Sequence, residues 1–301
     1  MNNTKQYREQ VRLLLRILPL IYQEDDFAVH GGTAINLFVN DLPRYSVDID
    51  LTYIPVDSRE VSLRRINETL AALSDRIRRA VPGIVIRSVP NKLLCSQIGS
   101  LVKIEVNGIK RGIIGDTMDL TLCPKAQSEF SAFCKARIVS IGQLYGGKIA
   151  AALSRQHPRD LFDCKYMAVD NFQEIRQGLI FNLLSSDKPI VESLNPHMID
   201  QSEALENQFK GMTEIPFGHE DYEQTRQWII RFVNKNLTDR DRSLLLSFEQ
   251  GTPDWDKSEF EFLQRYPSIQ WKLLNIAKLK KENPRKHQQT VDKLDHHFGN
   301  L

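Results

Sequence analysis

Apolar positions recur at helical spacing from the start of the chain. Val11, Leu14, Leu15 and Leu18 fall on one face of a helix over residues 5–18. Pro19 predicts a kink or an end there, because its missing N–H cannot bond back to Leu15, with Leu20 to Tyr22 as a further turn. A short apolar run, Phe27-Ala28-Val29, leads into His30-Gly31-Gly32. Residues 33–39 then read as a short helix that Thr33 could cap. Residues 46–54 switch to a period of two, the mark of a strand. Val47, Ile49 and Leu51 share one face of it; Ser46, Asp48, Asp50 and Thr52 share the other.

Residues 58–80 form a charged amphipathic helix, bounded by Ser58 as N-cap and by Pro82-Gly83. Strands follow at 84–88, 93–98 and 101–107, with Gly99-Ser100 as a turn. In the last of them Val102, Ile104 and Val106 oppose Leu101, Lys103 and Glu105. A further strand is predicted at 118–123. Residues 138–140 lead into a helix over 141–155, and Pro158 opens another over 159–167. Beyond Asn171 the pattern is helix after helix, at 171–184, 220–236, 238–249, 258–264, 268–281 and 285–297. The expected architecture is α+β: a mixed sheet with flanking helices over 1–165, then a helical C-terminal domain over 166–301.

Two domains agree with 301 residues at about 150 residues per domain. A chain 41% hydrophobic and 26% charged is neither collagen-like nor disordered. It holds no run of about 18 apolar residues, so no membrane span is expected. The first apolar stretch is broken by Arg12 and Arg16 and lacks the small-residue site of a signal peptide. Cys95, Cys123, Cys134 and Cys164 show no CxxC spacing and read as free thiols, which points to the cytoplasm. The net charge of +2 hides an uneven spread. Residues 59–112 carry 11 Lys/Arg against 4 Asp/Glu, and 187–262 carry 8 against 16. From Trp271 onward the count is 7 against 3. Basic faces of this kind suit a polyanion.

The chemistry concentrates between His30 and Leu51. Asp48 and Asp50, two apart on a strand, point the same way with Cα atoms about 6.5–7 Å apart. Such a pair repels itself and is not needed by a strand, but it can converge on a hard divalent cation that also takes phosphate oxygens. Gly31-Gly32 opening a helix adds backbone that a phosphate can approach, next to free N–H groups. His30 reads as structural rather than as a general base. His296 and His297 point apart on a helix and do not form a metal site.

These pieces resemble the polymerase-beta-like nucleotidyltransferases and, within them, the AbiEii toxin family. The resemblance rests on Gly31-Gly32-Thr33-Ala34, on Arg44-Tyr45-Ser46-Val47-Asp48-Ile49-Asp50-Leu51, on Lys103-Ile104-Glu105-Val106, and on Lys148 to Arg155 followed by Arg159-Asp160-Leu161-Phe162-Asp163. It covers about residues 27–167. It implies that Gly31 and Gly32 hold the nucleoside triphosphate; a serine of the wider superfamily is replaced by Gly32, so Thr33 would have to supply the hydroxyl. It implies that Asp48 and Asp50 bind Mg²⁺ or Mn²⁺, with Glu105 as the third carboxylate. Lys148 would neutralise the triphosphate. Asp160 or Asp163 would touch base or ribose, or orient Lys148, and Arg155 and Arg159 would meet phosphate or solvent. Gly146 and Gly147, each costing a helix about 1 kcal/mol relative to alanine, suggest a close approach.

The implied activity is transfer of a nucleoside monophosphate from an NTP to RNA, with the 3′ end of tRNA as the acceptor and a block of translation as the result. The implied partner is an antitoxin encoded nearby that acts without stable toxin binding. Two alternatives stay open at this point: a non-catalytic nucleotide- or RNA-binding module of the same fold, and a nucleotidyltransferase acting on protein or small-molecule hydroxyls.

Overall fold

The structure, a computed structural model, describes residues 3–169 and 171–300. It opens with α1 (Asn3–Ile21), β1 (Phe27–His30) and α2 (Gly31–Ala34), which runs on as a π-helical turn over Ile35–Val39. Then come β2 (Ile49–Tyr53), α3 (Arg59–Ala80), β3 (Val85–Val89), β4 (Lys92–Gln97), β5 (Ser100–Val106) and β6 (Met118–Thr121). α4 (Pro124–Phe130), β7 (Lys135–Ile138), α5 (Ile141–Arg155) and α6 (Pro158–Lys165) complete the α/β half. The rest is helical: α7 (Phe172–Leu184), α8 (Ile190–Leu194), α9 (Ser202–Ala204) with a π-helical turn over Leu205–Phe209, α10 (His219–Asn236), α11 (Asp239–Glu249), a 3₁₀ turn over Glu261–Arg265, α12 (Pro267–Glu282) and α13 (Pro284–Gly299).

The seven strands form one mixed sheet in the order β3-β4-β5-β2-β1-β7-β6. β2 runs parallel to β5, and β1 parallel to β7; the other neighbours are antiparallel. The alternation in β5 works as expected: Val102, Ile104 and Val106 are buried, while Leu101, Lys103 and Glu105 look the other way. α1 and α3 pack beside the sheet, α1 against β5, β7 and α3, and α3 against β3 and β4. No helix of the described residues is long and apolar enough to cross a membrane. All four cysteines are buried and free.

Several local expectations need correction. α1 runs through Pro19, because Ile17, Leu18 and Ile21 are locked in the core and Tyr22 N–H bonds to Leu18 C=O beyond the proline. Thr33 does not cap α2. Gly31, at φ +67°, turns the chain straight from β1 into the helix two residues earlier. β2 begins at Ile49, which leaves Asp48 just ahead of the ladder. The β4–β5 turn is Ile98-Gly99, both at positive φ, not Gly99-Ser100. α4, α8 and the 202–209 segment were not foreseen, and β7 begins three residues before the predicted 138–140 stretch.

α5 meets α7 backbone to backbone. A Cβ on Gly146 would overlap the Gly178 carbonyl carbon and Leu179 N, and one on Gly178 would overlap Gly142. The close approach that Gly146 suggested is therefore made by another helix. Only glycine at these turns lets the axes come so near.

Candidate active site

The sheet register lays four polar residues in a row across its centre. Lys92 of β4 pairs with Glu105 of β5, Glu105 with Asp50 of β2, and Asp50 with His30 of β1. They open into a cleft of about 1140 Å³ whose lining also includes Gly31, Gly32, Asp48, Lys148, Arg155 and Arg159. The sheet and α5 thus bring the predicted site residues to one cavity. Thr33, wholly buried, and Asp163 are set behind its wall.

The glycine turn is shaped by what it touches. A Cβ on Gly31 would lie 2.6 Å from Asp50 Oδ2. One on Gly32 would lie 2.7 Å from Arg44 Nη2 and 2.9 Å from Ser46 Oγ. Thr33 does not supply the missing hydroxyl to the cleft. Its Oγ1 donates to Asp48 C=O at 2.5 Å and lies 3.1 Å from Ser46 Oγ, from which it can accept, and this fastens the Asp48 backbone to α2. The hydroxyl beside Gly32 is that of Ser46, which lines the cleft.

Behind the glycine turn lies a buried network of charges. Asp163 takes a bidentate pair of bonds from Arg44, Nε at 2.7 Å and Nη2 at 2.6 Å, with Asn36 Nδ2 at 3.0 Å and Lys148 Nζ at 2.9 Å. Asp160 holds Lys148 Nζ at 3.0 Å and Arg155 Nη2 at 2.8 Å. Burial alone would raise the Asp163 carboxyl, but Arg44 and Lys148 outweigh it and hold it at about 2. Asp160 is held low in the same way against burial, by Lys148 and Arg155. Burial works against the Lys148 ammonium, yet Asp163 and Asp160 raise its pKa and keep it charged. Both aspartates therefore act on Lys148, with Asp163 also fixing Arg44. Arg155 is tied to Asp160, and Arg159 makes no ion pair among the described residues.

At the carboxylates the arrangement is uneven. Asp50 is exposed to the cleft, with protein crowded around it on the cleft's walls. The partial desolvation by that surrounding protein raises its pKa, against Lys103 and with help from Asp48. Glu105 sits next to Asp50 in register but spends its oxygens on Lys92 Nζ and Lys103 Nζ, both at 2.9 Å. Burial opposes its ionisation, and the two lysines overcome that and lower its pKa. Among the described residues no three His, Cys, Asp or Glu side chains gather as a metal-binding group. Asp48 and Asp50 are the pair that could hold a divalent cation, since Mg²⁺ is commonly bound by one or two carboxylates plus phosphates and water. Glu105 could join only by releasing its lysines.

His30 is kept neutral, its pKa pressed down to about 4 by burial and by Lys148 and Lys110. Arg44 and Ser46 were quoted from the sequence without a role. Arg44 reaches Asp163 across 119 residues, and no local pattern announces that contact.

The sequence matches the family described as nucleotidyl transferase AbiEii toxin, type IV toxin–antitoxin system, over residues 12–273. Among curated proteins no sequence matches the chain. Among solved structures the fold is similar to that of MenT4, a nucleotidyltransferase toxin from Mycobacterium tuberculosis H37Rv, with a TM-score of 0.62 at 12% identity. That similarity covers 93% of this chain and 94% of the other. With its match spanning both the sheet and most of the helical half, the chain belongs to the AbiEii nucleotidyltransferase toxin family of type IV toxin–antitoxin systems.

Proposed function

We propose that the protein transfers a nucleoside monophosphate from an NTP to the 3′ hydroxyl of an RNA, with tRNA as the acceptor, and that a divalent cation, Mg²⁺ or Mn²⁺, sits at Asp48 and Asp50. The observation that carries this reading is the convergence of Asp48, Asp50, Gly31, Gly32 and Lys148 on one cleft. When bound, the cation supplies charge for the α-phosphate and lowers the pKa of the attacking hydroxyl.

The chain's own residues do the rest. Gly31 and Gly32 let Asp50, Arg44 and Ser46 close in on the start of α2, where no side chain caps the helix and its first N–H groups can meet the phosphates. Lys148, held charged by Asp160 and Asp163, faces the triphosphate and offsets the charge that grows on pyrophosphate as it leaves. Thr33 fixes the Asp48 backbone. Family membership implies an NTP substrate and a cognate antitoxin.

The test is incubation with each labelled NTP, Mg²⁺ and total tRNA, beside the D48N/D50N variant. Label in tRNA from the intact protein alone supports the reading. Label in protein or in a small molecule, or none with nucleotide still bound, overturns it. Expression of the intact chain should arrest growth and that of the variant should not; equal toxicity of the two would falsify a catalytic cause.

A further inference from the structure

The cleft extends well past the carboxylates. From His30 its wall passes to Gly147, where a Cβ would lie 3.0 Å from His30 Nε2, and then to Asn182 of α7, whose Oδ1 accepts from Lys110 Nζ at 2.8 Å. Beyond that point α12 and α13 form the wall, with Trp271, Lys272, Lys286 and Thr290 facing the same cavity as Asp48. At about 1140 Å³ it exceeds the range of about 300–1,000 Å³ typical of pockets for one drug-sized ligand. A nucleoside triphosphate at the glycine turn leaves the α12–α13 end unfilled.

That end has two uncommon properties. Trp271 is 56% exposed, and no ring or cation packs on it among the described residues. An indole open to a cleft offers a flat apolar face to something not yet there. The second property is charge. Eleven Lys/Arg against six Asp/Glu line the whole cleft, but five of the bases and two of the acids are spent in ion pairs; toward the α12–α13 end Lys110, Lys188, Lys272 and Lys286 stand against Asp187 and Glu249. Lys272 Nζ bonds only to the carbonyls of Leu183 and Lys188, at 3.1 and 2.9 Å, and Lys110 only to the Asn182 amide. Burial presses both ammonium groups down to about 8, and no carboxylate stands within ion-pair distance of either among the described residues. Glu249 and Asp187 act on Lys272, and Asp187 on Lys110, only from beyond ion-pair distance, so an anion entering here would meet cations with no direct carboxylate partner among the described residues.

We propose that the α12–α13 end of the cleft binds the single-stranded 3′ end of the RNA acceptor, with an unpaired base stacked on Trp271 and the neighbouring phosphodiesters held by Lys110 and Lys286. This rests on the RNA-acceptor reading given above. Stacking on an open indole needs a base with a free face, which a paired base inside a duplex does not have. The attacking hydroxyl must also reach Asp48 and Asp50 inside the cleft, and only a chain end can do so.

The test uses the full chain and a short dye-labelled single-stranded oligoribonucleotide, with no NTP present, followed by fluorescence anisotropy. W271A should weaken binding about tenfold, and W271F should recover most of the loss. K286A, at an exposed position, should reduce the salt dependence by about one released counterion. Duplex RNA without overhangs should bind more weakly and indifferently to W271A, and NTP affinity should be the same in W271A as in the intact protein. Equal oligonucleotide affinity for the intact protein and W271A, or no binding by either, overturns the proposal. The two failures separate cleanly. RNA transfer that persists with W271A binding unchanged removes the Trp271 site alone; oligonucleotide binding that depends on Trp271 without any transfer to RNA removes the reaction and leaves the site.

Discussion

Asp163→Asn tests the buried network most directly. The carboxylate is wholly buried and takes bonds from Arg44, Lys148 and Asn36. Its pKa of about 2 against the ordinary 3.8 converts, at 1.36 kcal/mol per unit, to about 2 kcal/mol in favour of the charged form. A folded-state pKa below the unfolded one stabilises at pH above about 4, and the gain is lost as pH falls toward about 2. The amide loses this and also leaves two buried cations without their shared anion, so a larger loss, about 3–5 kcal/mol, is expected at pH 7. Urea unfolding followed by circular dichroism at pH 7 and at pH 2.5 measures both parts. The gap between intact and variant protein should narrow at the lower pH. Where the variant still folds, KM for the NTP should rise, because Lys148 and Arg44 lose their anchor. A variant within about 1 kcal/mol of the intact protein at pH 7, or a gap that does not change with pH, would refute the reasoning.

Four further outcomes follow from the geometry. Gly146→Ala gains about 1 kcal/mol of helix propensity but drives a methyl group into the α7 backbone, so a net loss of about 2 kcal/mol or more should appear in thermal melts. Gly147→Ala, which meets the His30 ring at 3.0 Å and Asn182 Nδ2 at 3.6 Å rather than backbone, should be milder. Gly32→Ser, although it restores the residue of the wider superfamily, should lower kcat/KM for the NTP by crowding Arg44 and Ser46; adding Ser46→Ala should recover part of the loss in the same assay. Ile98→Asn relieves a left-handed residue that is 98% exposed and should stabilise the chain by about 0.5–1 kcal/mol in urea unfolding.

What the sequence disclosed depended on how local the cause was. α5 was legible because an apolar run fills it, its Ser140 cap showing only in the structure, and α3 because Ser58 and Pro82-Gly83 bracket it. The alternation of β5 gave its two faces, and the register then set Glu105 beside Asp50 as expected. The lysines that occupy Glu105 could not be weighed in advance, since Lys92 reaches it only through the pairing of β4 with β5. β7, four residues with Lys135 and Arg137 between Cys134 and Val139, carries too little apolar signal by itself; β1 and β6 on its two sides make it a strand. The roles of Asp160 and Asp163 were open from their spacing alone, and the separate partners of each come from elements far away in the chain.

The glycine contact between α5 and α7 has a mechanical meaning. α5 carries Lys148 at the carboxylate end of the cleft, and α7 carries Asn182, which holds Lys110, farther along its wall. With no side chains between them at Gly142, Gly146 and Gly178, the two helices form one stiff beam that spans both halves of the cavity. Breathing of the outer helices would change how wide the mouth opens while the span along the beam stays constant. In the proposed reaction, the reach between donor phosphate and incoming hydroxyl would then be set by the fold, before either substrate arrives.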